Sequence, residues 1–256
     1  MMKRTIFAAF LLTIAVAAHA QTEPDYSAWT QILKSYYDPV RGMDYAGLKA
    51  RDLDGVQKIR QQLARVKPQT LNKKQQLAYW INVYNVNTVA TILENYPVAS
   101  IRDISTDPII RLNVFKKERV PAEGTIISLD TIENEKIREA FHDPRIHFAI
   151  NCAAKSCPPI RTEAYTGADV DAQLNDQVRR FVGANVRLVR DGDKLVVHTT
   201  KIMDWFSKDF DNWGGGRLAF LRRFVTPDKQ RMIDQAKDNV DFEYDDYDWA
   251  LNDWKR

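Results

Sequence analysis

The stretch LAYWINVYNVNTVATIL, residues 77–93, does most to limit what this chain can become. Apolar and aromatic side chains stand on nearly every side of the helix it would form, and a helix without a polar face belongs inside its domain. Both ends are marked. Asn72, with Gln75 three residues on, supplies a cap and reciprocal partner, and Pro97 stops the run after Tyr96. The expectation is a long central helix that the remaining chain must cover. Asn82 and Asn85 sit three apart on it, so their carboxamides project from neighbouring points of one face. A buried amide left unpaired costs about 1–3 kcal/mol, so partners must exist. The two either tie the helix to a neighbouring loop or face a substrate or oxyanion.

Shorter signals surround that helix. Trp29, Ile32, Leu33 and Tyr36 recur at helical spacing before Asp38-Pro39, and a second helix follows near Asp54. Residues 114–127 read as a hairpin turning at Pro121 and Gly124, and Ser128 opens a short helix. Arg145 to Cys152 reads as a buried strand and Asp169 to Val182 as an amphipathic helix. In VRLVRDGDKLVVH, Asp191-Gly192 supplies the residues a tight hairpin turn needs. Helical segments at 201–210, 217–224 and 228–237 precede an acidic, aromatic tail, DFEYDDYDWALND, expected to start out extended. The pattern predicts an α+β domain: a helical N-terminal half with a long buried central helix packed on a small, mainly antiparallel sheet built from hairpins.

The first twenty residues place Lys3 and Arg4 ahead of an uncharged apolar run and end in Ala18-His19-Ala20, the pattern of a cleaved secretory signal. Thr5 to Ala18 is shorter than the ~20 residues a spanning helix needs. The expectation is a periplasmic or secreted protein, mature from Gln21, with 21–256 as one globular domain and no stable membrane anchor after cleavage. The formal net charge is +3, two of whose positive charges belong to the signal. No concentrated basic face remains for nucleic acid. There is no phosphate-cradling Gly loop and no Gly-x-Ser-x-Gly elbow. No cofactor or metal is expected, since Cys-x4-Cys is looser than a zinc pair and lacks a second ligand pair.

Reactive side chains concentrate in RIHFAINCAAKSCPPI, which holds His147 and both cysteines, Cys152 and Cys157. In an oxidising compartment the two are disulfide candidates. The other reading makes Cys152 a nucleophile activated by a histidine, which requires sulfur and imidazole within hydrogen-bond reach. A straight strand would set residues 147 and 152 about 16 Å apart on opposite faces. Pairing them therefore needs a fold-back after Asn151, or Cys157 as the reactive partner. His147 is equally readable as a core histidine. Glu133 could orient an imidazole, but Asp130-Thr-Ile-Glu133 also fits a capping box.

Five ordered segments, AYWINVYNVNTVATILENYP, SLDTIENEKIR, DPRIHFAINCAAKSCPPI, KIMDWFSKDF and DYDWALN, together resemble the family called domain of unknown function 547, from about Leu71 to Asn252. The resemblance implies an α+β domain similar, at a distance, to the papain and transglutaminase group. It also implies that Trp80, Asn82, Tyr84, Asn85, Glu133, His147, Cys152 and Cys157 gather around one cleft, with Cys152, His147 and Glu133 as a triad. The central helix carries no Cys, which departs from the papain arrangement. The function implied is a thiol-dependent hydrolase or transferase acting on a peptide, amide or thiol-containing small molecule. The alternative is a non-catalytic envelope binding or structural protein with a Cys152–Cys157 disulfide.

Overall fold

The helix expected over the apolar run is the axis of the first of two hydrophobic cores. A computed structural model describes residues 22–104, 113–236 and 239–254; the expected signal at 1–20 lies outside the described residues. In it α1 (Ser27–Tyr36) packs on α2 (Tyr45–Ala64), and α2 packs on α3 (Lys73–Asn95). Every residue of α3 from Leu77 to Leu93 is buried. The Asn72 carboxamide accepts from Gln75 N at 3.0 Å while Gln75 accepts from Asn72 N at 3.0 Å, which satisfies amides that a helix start leaves without partners. No helix among the described residues is long and apolar enough to cross a membrane.

Two short strands, β1 (Val120–Ala122) and β2 (Thr125–Ile127), form the hairpin expected near 114–127, turning at Glu123-Gly124. Helix α4 (Val170–Asn185) joins the cores, because Val170 and Leu174 point into the first while Val178, Phe181 and Val182 point into the second. The second core lies between α4, α5 (Gly216–Phe224), α6 (Pro227–Ala236) and a three-stranded sheet. In that sheet β3 (Arg187–Asp191) and β4 (Lys194–Thr200) form the second expected hairpin. Its loop is Gly192-Asp193, one residue later than Asp191-Gly192, and Gly192 takes the positive φ of +60°. The acidic tail becomes β5 (Val240–Asp245), which runs parallel to β4, so this sheet is mixed. The domain is α+β, with helices dominant and the hairpins antiparallel.

One expected element is replaced. Arg145–Cys152 is not a strand: Pro144–Phe148 is a 3-10 helix, and a turn carries the chain on. Asp143 caps it by accepting from Arg145 N at 3.0 Å, and Pro144 at the first position presets the backbone φ. The bonds Ile146 N to Asp143 O and Ala149 N to Ile146 O then close three-residue turns. Three residues per turn, not two, is the period the apolar side chains obey. Ile146 and Ala149 enter the first core, Phe148 the second, and His147 and Ile150 face a cleft between them.

Candidate active site: a cleft between two cores

The loop after this 3-10 helix is held from three sides. From α3, Asn85 donates to Ala149 O at 2.9 Å and accepts from Asn151 N at 2.8 Å. Asn151 in turn donates to Pro158 O and accepts from Ala153 N, drawing the Cys152–Cys157 segment into a compact turn. The C-terminal segment runs antiparallel along it, with Asn252 N to Ala153 O at 2.9 Å and Lys155 N to Ala250 O at 2.9 Å. Between these restraints Ala153 is held at φ +62°, a left-handed conformation that residues with a Cβ adopt at a cost.

Cys152 is partly exposed and Cys157 is buried; both are free thiols. Their contact is close, since Cys152 N donates to Cys157 Sγ at 3.0 Å. Tyr247 Oη lies 3.1 Å from Cys152 Sγ. Hydrogen bonds from Cys157, Tyr247 and the Ala154 amide favour a Cys152 thiolate and hold its pKa below the usual thiol value, against the effect of burial. Burial pushes Cys157 well up, so it is the donor of the pair. Once the sulfur is anionic, the phenol too must be the donor.

His147 stacks on Phe206 with ring centroids 4.0 Å apart, and its Nε2 lies 2.7 Å from Asp209 Oδ2. Arg138 grips the same carboxylate through Nε at 2.8 Å and Nη2 at 3.1 Å. Burial works against the Asp209 charge, yet those donors win and leave its pKa far below the usual carboxylate value. An ionised Asp209 can only accept, so Nε2 carries the ring proton. Burial also holds His147 below its ordinary pKa despite Asp209, which favours the neutral ring with Nδ1 as its lone-pair nitrogen. That Nδ1 is buried and has no hydrogen-bond partner among the described residues.

Glu133 does not cap a helix. Ser128 does, accepting from Thr131 N at 2.9 Å, because the helix begins two residues before Asp130-Thr-Ile-Glu133 would start it. Glu133 instead lies on the π-helical stretch Ile132–Arg138, a rare form of helix that often marks functional positions. Tyr84 donates to it at 3.3 Å. Burial raises its pKa to about 7, although Arg138 and Tyr84 pull it down.

Tyr84, Glu133, His147, Cys152 and Cys157 thus line one cleft of about 240 Å³. Three of the expected residues stay outside it. Asn82 is fully buried and both ends of its carboxamide are used, donating to Tyr165 O at 2.7 Å and accepting from Tyr165 N at 3.0 Å. Asn85 is used up in the same way by Ala149 and Asn151. Trp80 packs edge-on against Tyr79 beneath Lys136. Two site residues escaped the sequence reading. Asp209, not Glu133, orients His147, and Tyr247 reaches the sulfur. Both lie in segments that carry the resemblance, KIMDWFSKDF and DYDWALN, but no local spacing ties Asp209 to His147 or Tyr247 to Cys152. No group of three or more His, Cys, Asp and Glu among the described residues has a metal-holding arrangement.

No curated protein and no solved structure matches the chain, so the remote likeness to papain and transglutaminases gains no support from either comparison. One family model does match, over a segment that carries both cysteines, His147 and Glu133 but stops short of Asp209 and Tyr247. Residues 68–182 match the family model described as protein of unknown function, DUF547.

Proposed function

We propose that the cleft is the active site of a thiol-dependent hydrolase or transferase acting on a carbonyl group of a peptide, amide or thiol-containing small molecule. The observation that carries this reading is the shared cleft. A thiol whose pKa its neighbours lower faces the same small space as an imidazole bonded to a carboxylate, whose other nitrogen has no partner among the described residues. In the reaction Cys152 Sγ attacks the carbonyl carbon and forms a C–S bond. His147 Nδ1 takes up the proton that the Cys152 thiol gives up, with Asp209 stabilising the resulting imidazolium, and returns it to the leaving group as the scissile bond breaks. A water or a second acceptor then attacks the thioester and frees the sulfur. Cys152 and His147 need not touch in the empty cleft, since Cys157, Tyr247 and the Ala154 amide lower the thiol pKa without the imidazole. We also read the chain as exported, to the periplasm or beyond, on the strength of residues 1–20 alone.

An activated ester such as p-nitrophenyl acetate tests the proposal by intact mass and peptide mapping. One acetyl group on Cys152, absent in Cys152→Ser, is expected; acetylation elsewhere only, with no thioester, sinks it. A second reading rests on the 3.0 Å contact of Cys152 N with Cys157 Sγ. If native protein is two hydrogens lighter than reduced protein, and reduction does not unmask acylation, the cleft is a binding site closed by a Cys152–Cys157 bridge.

A further inference from the structure

The cleft contains more aromatic surface than thiol chemistry needs. Trp205, Tyr247 and Trp249 form one cluster in its wall, with ring centroids 4.8 Å apart for Trp205–Tyr247, 4.7 Å for Tyr247–Trp249 and 5.8 Å for Trp205–Trp249. Large aromatic rings are normally covered, yet Trp205 is 45% exposed, and it is the one aromatic among the strongly exposed large hydrophobics of the described residues. Such a ring in a pocket wall is surface kept open for a ligand.

The charge of the lining narrows what that ligand is. Asp130 and Glu133 both line the cleft, and no Lys or Arg does among the described residues. Arg138 is committed to Asp209, and Arg102 sits over the Trp249 ring at 5.0 Å without lining the cleft. Asp130 has no ion-pair partner among the described residues, unlike Asp209, which also acts on Glu133. An anion would meet two carboxyls and no counter-charge. A neutral apolar group would fill the aromatic wall and leave Asp130 unused. A cation uses both, because ring faces carry negative potential and a carboxylate supplies the balancing charge.

We propose that this part of the cleft is a cation subsite, holding an alkylammonium group between the ring faces of Trp205, Tyr247 and Trp249 and the carboxyls of Asp130 and Glu133. The inference rests on the thiol reading only in saying what the subsite is for: it orients a substrate whose ammonium group lies a short distance from the carbonyl that Cys152 attacks. The rings give the group its fit and the carboxyls its charge, which together make the site selective for a cation over a neutral group of the same shape. His147 Nδ1, buried and without a partner in the same lining, remains free for the reacting end.

Choline and its uncharged isostere 3,3-dimethylbutan-1-ol, titrated at constant ionic strength against the intrinsic tryptophan fluorescence of the whole protein, separate shape from charge. Choline is expected to bind about tenfold more tightly than the alcohol, the scale of a desolvated cation–π contact. Trp205→Leu and Asp130→Asn should each weaken choline several-fold. Both positions are partly exposed, so neither change empties a core. Cys152→Ser should leave choline binding intact. Equal affinity for the two probes, or choline binding indifferent to both wall variants, overturns the subsite. Choline selectivity without acylation of Cys152 keeps the subsite and removes the thiol reading; acylation without selectivity does the reverse.

Discussion

The inner face of α3 and the cleft beside it both bury polar groups, and they treat them in opposite ways. On α3 the carboxamides of Asn82 and Asn85 have both ends matched by backbone groups of the loops they touch, so nothing is left to react. In the cleft His147 Nδ1 has no partner among the described residues, Glu133 is raised to about 7 by burial, and Cys152 is held toward its charged form. A fully satisfied buried group is a fastener. A group buried short of satisfaction is a cost that a folded chain tolerates where chemistry or binding recovers it.

Asp209→Asn breaks the comparison most sharply on the reactive side. The amide presents Nδ2 or Oδ1 to His147 and loses the charge that supports an imidazolium, while Arg138 loses its ion pair. Turnover of the ester should fall about 10²-fold, the ordinary worth of a general acid–base group. Because Asp209 acts through His147, the pH profile decides its role: the limb governed by the imidazole should move down in pH, whereas a merely structural loss would lower the rate at every pH alike. On the fastening side, Asn85→Ala should leave Ala149 O and Asn151 N buried without partners and lower unfolding stability by about 3 kcal/mol. Chemical denaturation measures it. An unchanged midpoint would mean that α3 does not anchor the Cys152 loop.

The sequence made the fasteners easier to see than the site. The Asn72–Gln75 cap, the apolar run and Pro97 are local signals, and α3 starts and stops where they say. The two amides were legible in number, though not in partner, because Tyr165 and Ala149 lie far along the chain. The strand expected over Arg145–Cys152 does not form because an apolar run of that length fits a period of two or of three, and Pro144 behind Asp143 tips the balance toward the 3-10 turn. That one error put His147 and Cys152 on opposite faces of a strand that does not exist. Asp209 and Tyr247 were hidden for another reason. Each is brought to the cleft by packing between distant segments, and nothing in the spacing of residues 147, 209 and 247 announces the meeting.

Glu133→Gln sharpens the comparison by turning a poorly satisfied group into one that can stay neutral. A carboxyl whose pKa rises from 4.5 to about 7 on folding favours the folded state below pH 4.5, and this contribution is lost as pH climbs through 7. Arg138, its pKa raised, and Asp209, held far below the usual carboxylate range, keep their charges in that window, and the Tyr84 hydroxyl stays protonated. The glutamine variant should therefore match the parent near pH 4 and exceed it by up to about 3 kcal/mol at pH 8. Solvent reaching Glu133 through the cleft makes that an upper bound. Thermal melts at the two pH values are enough, and a variant less stable at pH 8 would contradict the burial argument.

Tyr247→Phe has the smallest effect and tests the finest claim, that the sulfur is tuned by Tyr247 and Cys157 and not by the histidine. The phenol donates to Cys152 Sγ from 3.1 Å, so removing it takes away one bond that the thiolate enjoys and the thiol does not. The pH midpoint of Cys152 alkylation by iodoacetamide, followed by peptide mapping, should rise. Cys157→Ala should raise it further, because Cys157 is the stronger of the two influences on the sulfur. His147→Ala should leave it where it was. The order of these three shifts carries the information: if the histidine variant moved the midpoint most, the imidazole would be the activating base and the cysteine loop only its support.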